Sequence, residues 1–446
     1  MKSRRRHLLW FTLGLCSSLQ LVASLSITEV VVLLMVPFVA TTEIYQMRRT
    51  GVKPYLIWAL LMVFGAVISY LVYRGPFYFA LRRFAVVILI PAAIIFWHWM
   101  LRRDMTSLGW YLVGGAISSF LCTFIFQKSV EVSMAGGSTG AAATAAIMNG
   151  PLYWLHRITR VVAALYKGWY LQVPTAFSVC SPLALAVFGI LGSSSGRGPA
   201  LGFIGASFIM LVGGKKIRRM KLISKYFVLI SLIGFSLIYA FHKTYGYLAR
   251  EGTLGEKTRK KYLGQTKAGN GMLDLLIGGR TESFVAFYAC LDRPILGFGF
   301  CPIDKYGYNR EFCDKYGSAE DSERYYRIQQ ENARKGIVSM EDRFIPAHSQ
   351  IGICWLCYGI FGLLYWIYVI FAILRFLKQD IAVVPQWYGW LAAGVPSLMW
   401  NIFFNPLSGR LGVPMFIVAC LLARAIRKGR MAMPMSMVRD IQKWSV

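Results

Sequence analysis

Acidic side chains are scarce in this chain. Asp and Glu fill 20 of 446 positions against 49 Lys and Arg, and charged residues of both signs reach only 15%. Of those 20 acids, 14 lie between Arg250 and Arg343, so the rest is almost bare of carboxylate. With 56% hydrophobic residues and repeated apolar runs of about 20 residues, the chain exceeds what one soluble core needs and reads as a polytopic membrane protein. Other absences exclude particular chemistries. No D-x-D, H-E-x-x-H or clustered His/Cys/Asp pattern offers a metal centre. No G-x-x-x-x-G-K-[ST] spacing offers a P-loop, and no G-x-S-x-G offers a serine-hydrolase elbow. There is no internal repeat of the kind many transporters carry. The net charge of +29 is scattered over short loops, with no basic stripe interleaved with aromatics, which argues against nucleic acid.

What is present is a succession of spans. Hydropathy marks them near 8–25, 27–45, 54–73, 84–100, 107–127, 174–191, 199–213, 223–243, 349–376, 381–402 and 411–426. One more, between 139 and 170, is required by charge bookkeeping, although His156, Arg157 and Arg160 sit inside it. About twelve crossings put both termini on one side, and the Lys/Arg excess at each end makes that side cytoplasmic. The expectation is an all-α protein of about twelve transmembrane helices. Residues 1–243 would hold nine helices, 244–348 an external, partly helical loop domain, 349–430 three more helices, and 431–446 a cytoplasmic tail. "MKSRRRH" ahead of the first apolar run resembles a signal peptide, but no convincing cleavage site follows, so the run reads as an uncleaved first helix. Most of the nine cysteines lie in spans as small hydrophobes. Cys301 and Cys313 lie in the outer loop, where a disulfide is chemically allowed; Cys354 and Cys357 form a C-x-x-C inside an apolar run and read as packing.

Charge at the outer ends of spans needs a reason. Arg197 lies in "LGSSSGRGPALGF", a turn whose small residues let backbone N–H groups converge on an anion beside a guanidinium fork. The bland alternative is a snorkelling arginine. Arg280 opens "GGRTESFVAFYACLDRPILGFGF", in which an apolar helical pattern through Phe284, Phe287, Tyr288 and Leu291 would pack over the membrane mouth and aim the charge inward. His348 stands where the charged loop gives way to the next span, in "FIPAHSQIGICW". Imidazole titrates near ~6.5, so His348 suits a general base; an interfacial helix-capping histidine is the plain alternative. His7 and His98 fall on the cytoplasmic side. Glu29, at the outer start of the second span, is the one rival carboxylate, more simply read as interfacial. Arg82, Arg83 and Arg410 are lesser candidates for phosphate contact.

Taken together, "SSSGRGPAL", "GGRTESFVAFYACLDRPILGFGF" and "PAHSQIGICWLCYGIFGLLYW" resemble the O-antigen ligase and polymerase superfamily of bacterial envelope glycosyltransferases. The order and the twelve-span, GT-C-like layout agree over nearly the whole chain, and the specific motifs run from Gly192 to Trp366. Gly196 stands where that family often has Ser, and Ser349 where Asn is common. The resemblance implies an enzyme of the bacterial inner membrane with its active site facing the periplasm. It would transfer a glycan from a polyprenyl (undecaprenyl) diphosphate to a hydroxyl acceptor with inversion, and with neither metal nor other cofactor. Arg197 and Arg280, with Arg82 and Arg83, would hold the diphosphate; His348 would take the acceptor proton. The leading acceptor is lipid A core, as in O-antigen ligation for lipopolysaccharide. The alternatives are a polymerase that extends a second lipid-linked glycan and a non-enzymatic transporter of such lipids.

Overall fold

The second apolar segment starts where its sequence supplies both halves of a capping box. Ser26 Oγ accepts the Glu29 N–H (3.2 Å) and Glu29 Oε2 accepts the Ser26 N–H (2.7 Å). Glu29 is thereby buried as a helix cap and is not a base at the membrane mouth. In this computed structural model the described residues are 2–18, 20–22, 25–74, 77–103, 281–300, 302–316, 344–379 and 411–431, with scattered positions in 108–118, 243–263 and 395–403. They are mostly helical, 83% of them.

Among the described residues three helices are long and apolar enough to cross a membrane. α2 (Ile27–Thr50) and α3 (Lys53–Tyr73) are joined at Gly51, whose φ of 77° lets its N–H cap the Met47 carbonyl, and Pro54 then opens α3. α4 (Phe77–Arg103) returns alongside and contains Arg82 and Arg83. These match the expected second, third and fourth spans. The spans expected at 139–170, 174–191, 199–213 and, but for its last residue, 223–243 lie outside the described residues, as does most of each of those at 107–127 and 381–402.

Two expected spans differ. Residues 8–25 do not form one helix. α1 (Lys2–Leu15) gives way to a 3-10 turn at Cys16–Ser18 and a short antiparallel ribbon of β1 (Gln20–Val22) and β2 (Leu25–Ser26). The reason is local competition for carbonyls: Ser17 Oγ donates to the Gly14 carbonyl (2.7 Å) and Thr28 Oγ1 to that of Leu13 (2.7 Å), so the ladder stops there. Fourteen residues span about 21 Å, short of a hydrocarbon core of about 30 Å.

The run 349–376 is also divided, into α7 (Gln350–Tyr358) and α8 (Ile360–Gln379). Gly359 sits between them at φ 65°, ψ −152°, a conformation open essentially only to glycine. The backbone groups freed by the break are taken by the turn that follows α5 (Thr281–Asp292). Phe298 N–H donates to the Leu356 carbonyl (2.6 Å) and Ile360 N–H to that of Ile295 (2.9 Å). Ser69 Oγ of α3 holds the Leu296 carbonyl (3.1 Å). Non-helical backbone beside a bilayer persists only when satisfied by protein in this way.

Around these breaks the helices share one core. α9 (Gly412–Arg427) is buried along almost its whole length, as a helix apolar on all sides should be, against α4 and α8. Tyr55 of α3 stacks on Tyr365 and Tyr368 of α8, with its hydroxyl 2.8 Å from that of Tyr365. Trp10 of α1 packs on Trp97 of α4. α2 and α4 are joined by a buried polar knot. Glu43 accepts from Arg102 Nη2 (2.7 Å) and Nε (3.2 Å), and its Oε2 lies 2.8 Å from His98 Nδ1. His98 Nε2 reaches Thr50 Oγ1 at 2.9 Å. His98 is thus inside the helix pair, where the sequence placed it at the cytoplasmic side.

A second, smaller core gathers Val285, Ala289 and Cys290 of α5, Phe298, Tyr308 and Phe312 of α6 (Tyr308–Tyr316), Ile345 and Leu356 of α7. Burial pushes the Cys290 thiol pKa up. Cys313 is a buried thiol, its Sγ 3.7 Å from Asn309 Oδ1, while Cys301 lies outside the described residues. Cys354 and Cys357 are buried in the packed helices, as packing residues should be.

The break yields a clean test. Gly359→Ala places a β-carbon against the Ile295 carbonyl and forces an alanine into a backbone region that alone costs roughly 1–3 kcal/mol. A large fall in detergent melting temperature is expected. Gly412→Ala, whose β-carbon would meet nothing, should leave it unchanged, and equal melting of both variants removes the break from the stability of the fold.

Candidate functional site

His348 owes its position to two tethers and a cap. The incoming strand is held by Ile345 N–H on the Pro302 carbonyl (2.7 Å) and by a bridge between Phe344 and Ile303. Ser349 then caps α7 from an extended backbone (φ −140°, ψ 135°). Its Oγ accepts the Gly352 N–H (3.1 Å) and donates to the Ile402 carbonyl (3.0 Å). The residue where the resembling family often has Asn is therefore a fully buried helix cap. His348, one residue earlier, is left at the mouth of α7.

α5 crosses close to α7 because the facing residues are small. A methyl group added at Gly352 would stand 3.4 Å from Ala286 Cβ. The buried side of α5 carries Thr281, Ser283, Val285, Ala286, Ala289 and Cys290. This corrects the expectation that Phe284, Phe287, Tyr288 and Leu291 form the packing face: the first three are partly buried and Leu291 is exposed. The close crossing brings the first turn of α5 to His348, with Glu282 Oε2 3.1 Å from His348 Nδ1.

The sequence reading missed Glu282, which looks like one more acid in an acid-rich loop. Its signal was position: a carboxylate two residues after a candidate arginine, at the head of the only apolar helical pattern in that stretch. A carboxylate facing Nδ1 favours the tautomer protonated there and leaves Nε2 with its lone pair, the arrangement a general base needs. The next residue along α5, Ser283, has its Oγ buried without a hydrogen-bond partner among the described residues.

Arg197, Arg280 and Arg410 lie outside the described residues. Arg82 and Arg83 lie within α4. The expected meeting of Arg197, Arg280 and His348 at one mouth thus involves residues beyond those described; Arg280 is joined directly to Thr281, the first residue of α5. Among the described residues no three His, Cys, Asp or Glu side chains gather where they would hold a metal.

The side chains of His348 and Glu282 are 34% and 41% exposed. At that exposure an ion pair contributes only about 0–1 kcal/mol to stability. A double-mutant cycle of Glu282→Gln and His348→Ala, read by denaturation in detergent, should give a coupling within that range. A much larger coupling would make the pair a structural clamp. No family model matches the chain, and no curated protein matches it.

Proposed function

We propose that the protein is a membrane-embedded glycosyltransferase that moves a glycan from a polyprenyl diphosphate to a hydroxyl acceptor at the external face, with lipid A core as the acceptor in an O-antigen ligation. One observation carries the reading: an imidazole whose Nδ1 faces a carboxylate at 3.1 Å, at the boundary between polar loop and apolar helix. The resemblance of the motifs around Arg197, Arg280 and His348 to the O-antigen ligase and polymerase superfamily supplies the substrate class.

In this reading Nε2 of His348 takes the proton of the acceptor hydroxyl as its oxygen attacks the anomeric carbon. The bond from that carbon to the diphosphate oxygen breaks, and the polyprenyl diphosphate leaves with the electron pair, inverting the centre. Charge grows on the leaving diphosphate, where a guanidinium fork in a water-poor cleft is most effective. Arg280 and Arg197 take that part, with Arg82 and Arg83 as further phosphate contacts. Glu282 holds the imidazole in the productive tautomer.

Purified protein is incubated with a defined prenyl-diphosphate glycan and either lipid A core or a second prenyl-linked glycan. Extension of lipid A core supports ligation; extension of the prenyl-linked glycan alone makes the enzyme a polymerase; no extension of either, with lipid transport retained, overturns the enzyme reading. His348→Ala should lose roughly 10²–10⁴-fold in turnover while staying folded and binding donor, and a fully active variant sinks the general-base role. Arg280→Lys should also be strongly impaired, because a point charge does not reproduce a bidentate fork. Wild-type turnover in that variant returns Arg280 to the solvated loop.

A further inference from the structure

We infer that Arg293, with Tyr73 and Tyr306, forms a docking point for the phosphate of a membrane lipid at the end of α3, a site separate from His348 and independent of the transfer reading. α5 spans 12 residues, and at 1.5 Å per residue its ends lie roughly 16 Å apart, with Glu282 at one and Arg293 just past the other.

Three observations converge there. The first is the state of the guanidinium. Arg293 Cζ lies 5.1 Å from the ring centre of Phe298, 5.5 Å from that of Tyr73 and 5.8 Å from that of Tyr306, and its Nη2 donates to Tyr306 Oη at 3.2 Å. Rings and neutral hydroxyls orient a guanidinium without cancelling its charge. The adjacent acid is engaged elsewhere, since Asp292 Oδ2 accepts the Tyr308 hydroxyl (2.7 Å). Among the described residues no carboxylate pairs with Arg293.

The second is rigidity that does not depend on Arg293. The turn carrying it is fixed by Trp355 Nε1 donating to the Pro294 carbonyl (2.9 Å) and by Gly297 N–H donating to the Arg293 carbonyl (2.9 Å). Its next residues are pinned by the bonds to Ser69, Leu356 and Ile360 described above. An arginine is not required to staple a turn already held at five points. It is instead held in place in advance, which lowers the entropic cost of binding.

The third is the surroundings. Leu291 and Ile295 flank Arg293 and are 66% and 67% exposed. Leu71 and Val72, the last apolar residues of the α3 span before Tyr73, are exposed too. A cation set among tyrosines beside outward apolar side chains at the end of a span suits an amphiphile. The phosphate meets the planar fork, and the tails run along α3.

The test is native mass spectrometry of the full chain in nonionic detergent, titrated with phosphatidylglycerol, with diacylglycerol of the same tails, and with inorganic phosphate. Wild type should hold phosphatidylglycerol at one tight site, and Arg293→Gln should weaken that site about tenfold, the loss of one charge-assisted fork. Arg310→Gln, an exposed arginine on α6 (80%), should change nothing. Unaltered binding by Arg293→Gln overturns the proposal. Equal binding of diacylglycerol overturns the phosphate's part in it, and saturable binding of inorganic phosphate that displaces the lipid overturns the lipid assignment. Should Arg293→Gln lose the native melting transition, Arg293→Lys decides: it keeps the charge but not the fork and should bind several-fold more weakly, and wild-type affinity in that variant overturns the site.

Discussion

Gly359 interrupts what would be one continuous membrane helix, and the peptide groups freed there are answered by the turn after α5. Much else follows from that contact. It seats the turn on α3, α7 and α8 together, so the small core of α5 and α6 has Leu356 of α7 as one of its own members. It also fixes the angle at which α5 leaves the turn, and so where its first residues fall. In an unbroken helix Ile360 N–H would return to the Leu356 carbonyl, leaving the Phe298 N–H and the Ile295 carbonyl of the turn without these partners, and an unpaired buried polar group is costly.

The His348–Glu282 pair depends on this arrangement and adds little to it. Both side chains keep about a third or more of their surface open, and a pair so exposed is screened by water. Their neighbours have gone the other way: Ser349, Thr281 and Ser283 are buried. Structural side chains thus surround two chemically useful ones left at the surface. Buried neighbours hold the backbone on either side of the pair, while the two side chains themselves stay partly open.

Length made α2, α3 and α4 legible, since apolar runs near the thickness of a bilayer have few other uses. The break at Gly359 was not, because glycine is frequent in membrane helices and only a conformation at positive φ separates a break from a packing contact. The same limit hid the packing face of α5. Large aromatics drew the eye to Phe284 and Phe287, whereas the close approach to α7 selects alanine and cysteine. Glu282 was hidden for a different reason: its partner is far along the chain, and its place at the head of the α5 pattern does not by itself say that it meets a histidine and not water. The end of α1 was hidden because Thr28, which takes the Leu13 carbonyl, belongs to the next helix.

The knot of Glu43, His98, Arg102 and Thr50 bears on how the chain enters the membrane. Glu43 emerges from the ribosome with α2, before α4 has been made, so it reaches the bilayer boundary ahead of the cations that neutralise it. An unpaired carboxylate there is costly to insert, and α4 brings the His98 and Arg102 that pair it. The second and fourth helices are thereby tied as a couple, packed directly on each other.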